Sequence, residues 1–325
     1  MKNAILDTPI LLMIFNRPKY ALQVLESIRT AKPKQLFIAS DGPRKNKVEE
    51  KAIVEKLRKD ILTAIDWDCE VKTLFRDKNL GCCKAVAGAI TWFFESVEHG
   101  IILEDDCVPN KSFYPFCEQM LNKYKNDTRI SMITGTNYLF NKIITEEDYF
   151  FSKYYSIWGW ATWKRAWNNY DLKIKNWEKY KNNKEITFLF ENKAIASNFS
   201  HMFDLVSNTD TWDFSWVYTC IFQNTLSITP IKNLVKNIGE EGAHASKNDR
   251  STFTQMPTEE INVKNIKHPK DIFPSAYLNN IQFKTIGFTK FRKTSILFEL
   301  KYYLQLRFIL KPIEKFIKKL FKRIK

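Results

Sequence analysis

The chain has 325 residues, of which 44% are hydrophobic, and a formal net charge of +15 at pH 7. This length and apolar content suffice for one large globular domain and exclude a small, disulfide-dense scaffold. The six cysteines also lack the paired spacing of a zinc site, so we expect reduced thiols in a cytoplasmic protein. No stretch approaches the roughly 18 consecutive apolar residues of a membrane span, and the first apolar run is too short for a signal-peptide core.

Four short apolar runs in the first third predict buried parallel strands. The runs are continuous rather than alternating, which is typical of strands covered on both faces, and the stretches between them have room for helices. This βαβα order predicts an α/β fold with a Rossmann-like, mostly parallel sheet flanked by helices. The runs are PILLMIF (9–15), QLFIAS (35–40), CEVKTLF (69–75) and GIILE (100–104).

Polar residues follow each of these runs. Ligands of such sheets bind outside the carboxyl ends of the strands, so residues placed there are candidates for a binding site. The segments are NRP (16–18), SDGPR (40–44), RDKNLG (76–81) and EDD (104–106).

The rest of the chain differs in composition. A helix is predicted over 112–125 and a further strand over 129–135. Seven of the nine tryptophans lie between positions 158 and 216, and this part predicts mixed α/β structure added to the edge of the sheet. The polar stretch from about 242 to 277 predicts no regular elements.

Most of the net charge lies at the end of the chain. Positions 284–325 hold 13 Lys and Arg against two Asp and Glu, so the remainder is close to neutral. Apolar residues from Ile313 to Ile324 recur at helical spacing opposite a basic face, which predicts an amphipathic helix on an anionic membrane surface. Packing of this helix on the body is the alternative. No nucleic-acid-binding motif accompanies the charge, so we expect no nucleic-acid partner.

The segment HGIILEDDCVPN leads a buried-looking strand into three consecutive carboxylates, Glu104, Asp105 and Asp106. Like charges at a strand end repel and are costly to desolvate, so a cation or a hydroxyl-rich ligand is expected beside them. Carboxylates can hold Mn²⁺ or Mg²⁺ together with substrate phosphates, and such a metal would neutralise a departing diphosphate. A solvated acidic loop is the alternative.

Five segments, in this order, carry a resemblance to a known family: FNRP, SDGPR, NLGCCKA, IILEDD and WGWATW. Over roughly residues 8–245 the chain resembles nucleotide-sugar glycosyltransferases of the GT-A fold. It is most similar to bacterial surface-polysaccharide transferases, and more distantly to N-acetylglucosaminyltransferase I, which also has an EDD triplet. The resemblance implies a metal-dependent, inverting transferase.

The resemblance also implies roles for individual residues. Asp106 would coordinate Mn²⁺ or Mg²⁺, while Glu104 and Asp105 would contact the sugar and ribose of the donor. Nucleotide or diphosphate contacts are implied for Arg17, Asp41, Asn79, Gly81 and Lys84. For these five residues, the alternative is a position in a solvated turn.

Inverting transfer needs a base, opposite the leaving diphosphate, that accepts the proton of the acceptor hydroxyl. The stretch TDTWDFSW offers Asp210 and Asp213. Its WDFSW resembles the WDDW of N-acetylglucosaminyltransferase I, whose first Asp is the base, although Phe214 and Ser215 stand where that relative has its second Asp. The resemblance therefore implies Asp213 as the base and Asp210 as the substitute, with a structural carboxylate as the alternative.

The stretch WGWATWKRAW places Trp160, Trp163 and Trp167 at helical spacing. A buried stripe is the prediction from that spacing. The alternative is that Trp158 or Trp160 lines a sugar or acceptor pocket, where Gly159 would let the backbone come close.

His244 lies in GEEGAHAS, a polar loop placed late enough to close over a donor. Since GT-A enzymes often supply a late histidine to the metal or diphosphate, the resemblance implies His244 as a ligand. Glycines at 239 and 242 fit a loop that becomes ordered when the donor binds.

These observations divide the chain into a catalytic domain (1–245), an irregular connecting segment (246–283) and a basic tail (284–325). Residues 1–110 would bind the nucleotide and 111–245 the acceptor. We expect a peripheral enzyme on the inner face of the cell membrane, which moves a sugar from a nucleotide-diphosphate donor, such as a UDP-sugar, to a lipid-linked or cell-surface glycan such as lipopolysaccharide or capsule. The alternatives are a sugar-1-phosphate nucleotidyltransferase and a noncatalytic membrane-surface binding protein.

Overall fold

The structure is a computed structural model that describes residues 6–139, 145–190, 192–239 and 253–286. Within these ranges, eight strands form one mixed sheet and two short strands form a ribbon. The strands are β1 (Ile10–Ile14), β2 (Gln35–Ser40), β3 (Glu70–Phe75), β4 (His99–Glu104), β5 (Cys107–Pro109), β6 (Ile130–Thr134), β7 (Tyr149–Ser152), β8 (Trp160–Trp163), β9 (Leu226–Pro230) and β10 (Val235–Asn237).

Helices cover both faces of the sheet. α1, α2 and α4 pack on one apolar layer, and α3, α5, α8 and α9 pack on the other. Their bounds are α1 (Pro18–Ala31), α2 (Val48–Thr63), α3 (Cys82–Ser96), α4 (Phe113–Lys123), α5 (Lys164–Trp167), α6 (Trp177–Asn182), α7 (Ile186–Leu189), α8 (Lys193–Asp204), α9 (Asp213–Phe222) and α10 (Ala276–Ile286).

The first four strands of the sheet are parallel, in the order β3-β2-β1-β4. In the central strand, Leu12 pairs with Ile38 on one side and with Leu103 on the other. Every residue of β1 is buried because helices lie on both faces, and this explains why the run is continuously apolar. The parallel pairing aligns the carboxyl ends of all four strands along one edge.

The rest of the chain continues the same sheet. β8 runs antiparallel to β4, with Ala161 opposite Ile101, and β6 runs antiparallel to β8. β9 is parallel to β6, and β7 closes the far edge antiparallel to β9. The sheet is therefore mixed, with its parallel part built from the first third of the chain.

The tryptophans of WGWATWKRAW are buried, but the predicted helical stripe is wrong. Trp160 and Trp163 are the ends of β8, and residues three apart on a strand point to opposite faces of a sheet. Trp160 accordingly lies in the apolar layer of α3 and α9, and Trp163 in that of α1 and α4. The chain stays extended here because β8 pairs with β4, and it turns into α5 only after Trp163.

Residues 253–275 contain no helix or strand, apart from a single bridge between Phe151 and Pro274. α10 is held on the edge strand β7, where the Ser152 hydroxyl donates to Gln282 Oε1 at 2.6 Å. The predicted amphipathic helix falls in 287–325, outside the described residues. None of the described helices has the length and apolarity that crossing a membrane requires.

Candidate active site

The carboxyl ends of the parallel strands bring Arg17 and the acidic triplet together. Arg17 follows β1, and its Nη2 forms an ion pair with Asp105, which follows β4. Its Nη1 lies 2.8 Å from Oδ2 of Asp106. The guanidinium also lies over the ring of Tyr20, 5.7 Å from the ring centroid. Arg17 is therefore the cation that the adjacent carboxylates require in this conformation.

Burial and mutual repulsion set the protonation of the triplet. Burial raises the pKa of Glu104 to about 8, and the charges of Asp106 and Asp105 add to the rise. Burial also raises the pKa of Asp105 to about 6, although Arg17 opposes that rise. For Arg17 itself, burial disfavours the charged form, but Asp105 and Asp106 outweigh it and raise its pKa.

Glu104 has an oxygen without a partner. Its Oε1 is buried and accepts no hydrogen bond from the described residues, although the residue as a whole keeps some exposed surface. A buried carboxylate oxygen in this state is costly, because the water it has lost is not replaced by a donor. The orphaned oxygen points to a group that a ligand would supply.

Asp41 and Asn79, predicted on neighbouring strand ends, contact each other directly. Asn79 Nδ2 donates to Asp41 Oδ2 and to the carbonyl of Gly42, both at 2.9 Å, and the Leu80 amide donates to Asp41 at 3.0 Å. Burial raises the pKa of Asp41, and hydrogen bonds from the backbone amides of Leu80, Gly42 and Gly81 oppose the rise. A Cβ on Gly42 would lie 2.4 Å from the carbonyl carbon of Lys78, so only glycine allows the two loops to meet.

Asp210 caps helix α3. Its Oδ2 accepts from the Cys82 amide at 2.8 Å and its Oδ1 from the Cys83 amide at 3.0 Å, an arrangement that the helix dipole favours. Gly81 precedes the helix with φ 80° and ψ 164°, and a Cβ there would lie 2.7 Å from Asp210 Oδ2. Both oxygens of Asp210 are thus engaged by backbone donors.

Asp213 begins α9 within electrostatic range of the acidic triplet. Its negative charge is among the influences that raise the pKa of Glu104. Burial, then Glu104, Asp210 and Asp213, raise the pKa of Cys82 to about 12. The Thr211 hydroxyl donates to Asp213 Oδ1 and orients the carboxylate. Asp213, Asp210 and Glu104 therefore lie around the start of α3.

The three candidates for a sugar or acceptor pocket differ in their surroundings. Trp160 is completely buried, so it presents no ring surface to a ligand. Trp158 is half-buried, with its ring edge-on to Tyr138 at 5.9 Å between centroids. Gly159 has φ 64°, and a Cβ there would lie 2.7 Å from Val235 Cγ2. Trp158 is therefore the member of this group that is only partly buried.

Lys84 is exposed in the first turn of α3, and His244 lies outside the described residues. The described segment that precedes His244 ends at Gly239, which packs against Asp106. The Ile238 amide donates to the Asp106 carbonyl at 2.8 Å, and a Cβ on Gly239 would lie 2.4 Å from Asp106 Oδ2. The β5–β10 ribbon creates this contact, which the sequence did not reveal.

Glu50 is a further residue at this edge that the sequence did not indicate. It is 4% exposed, and its carboxylate accepts from Asn16 Nδ2 at 2.9 Å and from the Arg44 amide at 2.7 Å. Hydrogen bonding to Arg44 lowers the pKa of Glu50. These bonds join the loops after β1 and β2, next to Arg17. The charged stretch around Glu50 gave no signal because it matches an ordinary solvated helix start.

The described residues fit a metal that is shared with a substrate, not a site built wholly from protein. Among them, no group of three His, Cys, Asp or Glu side chains is arranged to hold an ion. Asp106 can supply one carboxylate oxygen, and the orphaned Oε1 of Glu104 is left for a hydroxyl of the substrate. A hard divalent cation accepts a single carboxylate when phosphates and waters complete its coordination.

No protein-family model matches the chain, and no curated protein sequence matches it. Among solved structures, HddC from Yersinia pseudotuberculosis matches with a TM-score of 0.33 and 9% sequence identity, over 50% of this chain and 80% of HddC. A similarity at this level carries no argument. The class defined by the described residues is an α/β protein with a large, mostly parallel mixed sheet of eight strands flanked by helices, and its acidic cluster lies at the carboxyl edge of the parallel strands.

Proposed function

We propose that this protein is a metal-dependent, inverting glycosyltransferase of the GT-A type. It would transfer a hexosyl or N-acetylhexosaminyl group from a nucleotide-diphosphate donor, such as a UDP-sugar, to a hydroxyl of a lipid-linked or cell-surface glycan. The proposal is supported by the segments that resemble this family and by the meeting of their polar residues at one sheet edge.

The observation that carries the proposal is the crowding of acidic groups at this edge, where burial and mutual repulsion raise the pKa of Glu104 and Asp105. Glu104 stands within electrostatic range of Asp213, whereas Arg17 pairs with Asp105 and Asp106. Glu104 Oε1 is buried without a partner among the described residues. Sugar or ribose hydroxyls would donate the missing hydrogen bond, and a divalent cation would favour the ionised form of these crowded acids.

The residues of the triplet and Asp213 would have separate roles in the reaction. Asp106 would hold Mn²⁺ or Mg²⁺, which when bound neutralises the charge that develops on a departing diphosphate. Glu104 and Asp105 would accept hydrogen bonds from donor hydroxyls and so orient the sugar. Asp213 would accept the proton of the attacking hydroxyl.

The surrounding residues would bind the rest of the substrates. Trp158 would offer a ring face to the sugar or acceptor, and His244 would be a second ligand of the metal or diphosphate. Nucleotide or diphosphate contacts are proposed for Arg17, Asp41, Asn79, Gly81 and Lys84.

The basic tail would attach the protein to the inner face of the membrane, where lipid-linked acceptors are found. Positions 284–325 carry 13 Lys and Arg, and each one near an anionic leaflet contributes about 1 kcal/mol. Binding to vesicles that contain anionic lipid, compared between the full chain and a chain ending at residue 286, measures this contribution.

Neither alternative is favoured. A sugar-1-phosphate nucleotidyltransferase normally has a glycine-rich loop after its first strand, and the loop Asn16–Pro18 contains no glycine. A noncatalytic surface protein has no need of an acidic cluster that shares one edge with Arg17 and Asp213.

A thermal-shift screen of nucleotide sugars with and without Mn²⁺ tests the proposal, followed by hydrolysis measured without acceptor. A donor at 100 times its Kd stabilises the folded state by about 2.7 kcal/mol. Donor hydrolysis should require the metal and be lost in Asp106→Ala. It should persist in Asp68→Ala, which changes an exposed acid remote from the triplet. The proposal fails if no nucleotide sugar shifts the melting temperature or is hydrolysed with Mn²⁺ present.

A further inference from the structure

We propose that Arg17 is a built-in counter-cation that competes with the divalent metal for Asp106. The inference rests on the proposed function, because it takes Asp106 as the carboxylate to which the metal binds. It adds an order to that function: the metal binds weakly alone and tightly once a diphosphate gives Arg17 another anion.

Arg17 holds its two acids unequally. Its Nη2 pairs with Asp105 Oδ1 while its Nε lies 3.4 Å from Asp105 Oδ2, so one edge of the guanidinium faces both oxygens of that carboxylate. Asp106 is contacted by Arg17 through Nη1, which lies 2.8 Å from Oδ2. The two-point contact is the stronger kind. Asp106 is therefore the partner that Arg17 can release while it remains bound to Asp105.

The exposure of the two aspartates also indicates that Arg17 releases Asp106 more easily than Asp105. The side chain of Asp105 is 5% exposed and that of Asp106 is 13% exposed. An ion pair closer to solvent is screened more and is easier to exchange for another ligand. A cation arriving from solvent would therefore meet Asp106 first.

Oδ2 of Asp106 has two close neighbours. Nη1 of Arg17 lies 2.8 Å away, and the backbone of Gly239 lies so close that a Cβ on it would be 2.4 Å away. A metal bound to this oxygen would sit a few ångströms from the guanidinium, and two cations at that distance repel strongly in a partly buried site. The metal and Arg17 therefore cannot share Oδ2 without cost.

The position of Arg17 keeps it near the site after release. It precedes Pro18, the first residue of α1, and its guanidinium lies over Tyr20 on the first turn. Because the guanidinium stays beside Asp106, a diphosphate bound to a metal on Asp106 would lie within its reach. Diphosphate would thus remove the competitor and add a ligand to the metal, so the two should bind with positive coupling, which is reciprocal by thermodynamic necessity.

The test is a titration of Mn²⁺ alone against the full-length protein, with free Mn²⁺ followed by electron paramagnetic resonance. Arg17→Gln removes the charge and should bind Mn²⁺ about tenfold tighter than the unchanged protein, equivalent to about 1.4 kcal/mol. Adding a nucleoside diphosphate should tighten Mn²⁺ binding less in Arg17→Gln than in the unchanged protein. The matched control is Arg44→Gln, because Arg44 pairs with Glu50 near the same edge and not with the triplet. That variant should leave Mn²⁺ affinity unchanged.

The outcomes separate this inference from the proposed function. If Asp106→Asn abolishes Mn²⁺ binding but Arg17→Gln binds no tighter than the unchanged protein, the counter-cation role is overturned and the metal role of Asp106 stands. If Asp106→Asn binds Mn²⁺ normally both with and without nucleoside diphosphate, both ideas fail. Should Arg17→Gln not fold, Arg17→Lys replaces it. Arg17→Lys keeps the charge but loses the planar guanidinium and its two-point contact. It should therefore bind Mn²⁺ more tightly than the unchanged protein, by a smaller factor than Arg17→Gln, and no change would again overturn the inference.

Discussion

Asp210 accepts a hydrogen bond at 2.8 Å from the backbone amide of Cys82, a residue 128 positions earlier in the chain. A second bond from the Cys83 amide, at 3.0 Å, completes the cap of α3. The contact fixes the segment before α9, which carries Asp213, to the loop that carries Asn79. The two sides of the candidate site are therefore held together by one carboxylate.

Replacing Asp210 should destabilise the fold. In Asp210→Ala two helical amides lose their acceptor, and loss of an N-terminal cap costs about 0.5–2 kcal/mol. The free energy of unfolding from urea denaturation measures this cost. Glu49→Ala is the control, because Glu49 is exposed in the first turn of α2 and should lose only a few tenths of a kcal/mol of dipole interaction. Equal losses in the two variants would show that the cap contributes nothing of its own.

Alanine substitutions at two glycines of the same region should have different effects on stability. Gly81 has φ 80° and ψ 164°, and its Cβ would meet Asp210 at 2.7 Å. That conformation costs about 1–3 kcal/mol for any other residue, so Gly81→Ala should lower the free energy of unfolding by at least this amount. Gly88, inside α3, faces only the movable end of Arg76 at 3.0 Å, and Gly88→Ala should be neutral or stabilising by up to about 1 kcal/mol. Thermal melts of both variants make the comparison, and a destabilised Gly88→Ala beside an unaffected Gly81→Ala contradicts it.

The parallel part of the fold was predictable because its signal is local. Each strand is a short apolar run, and each is followed directly by the polar residues that the sheet then brings to one edge. The meeting of Arg17 with Asp105 and Asp106 follows from that rule once β1 and β4 are neighbours. The apolar runs, and the polar residues that follow them, can be recognised without knowing which distant segments are in contact.

The rest of the site depends on pairings between segments far apart in sequence. Trp160 and Trp163 fit a helix by spacing, and only the pairing of β8 with β4 makes the segment a strand. The placement of Gly239 on Asp106 requires the β5–β10 ribbon, and the capping role of Asp210 requires α3. A periodicity within one segment carries no information about such partners.

The protonation of Glu104 should make folding stability fall as the pH rises. Its pKa in the folded protein is raised from 4.5 to about 8, mainly by burial, so the folded state holds a proton that the unfolded state has released between these values. Stability is therefore lost as the pH rises through that interval, and Asp105, with its pKa raised to about 6, acts with the same sign.

Melting temperatures in metal-free buffer between pH about 5 and about 8 test this expectation. The decline should be smaller in Glu104→Gln, which cannot ionise, and that variant should be the more stable protein at the upper end. The exposed Glu178→Gln serves as the control and should keep the original decline. A decline as steep in Glu104→Gln as in the unchanged protein is the result that removes Glu104 from this role.

Substitutions of Trp160 and Trp158 should distinguish a packing role from a ligand-binding role. Trp160 is completely buried and stacks on Trp212, with 5.7 Å between ring centroids, so Trp160→Ala should cost about 3–5 kcal/mol of stability. Trp158 is half-buried, and Trp158→Ala should cost roughly half as much, because less apolar contact is lost. If Trp158 contacts a sugar, its loss should also raise KM at little change in kcat. Urea denaturation and steady-state kinetics measure the two effects, and an unchanged KM would make Trp158 a packing residue.

Asp213→Asn tests the proposed base directly. The amide keeps the shape of the carboxylate but cannot accept the acceptor's proton, so transfer should fall by about 10²-fold or more while donor binding is retained. Donor binding is followed by thermal shift and transfer by product formation. Asp68→Asn, an exposed change away from the site, should alter neither quantity.

Comparison with Asp210→Asn identifies which acid accepts the proton. The side-chain amide that this substitution introduces would retain one acceptor oxygen for the α3 cap, so Asp210→Asn should lose stability and only part of its transfer rate. At a temperature where both variants are folded, the larger loss of kcat should fall on Asp213→Asn. Full transfer by Asp213→Asn together with none by a folded Asp210→Asn would move the role of base to Asp210, and the cap would then have to open during each turnover.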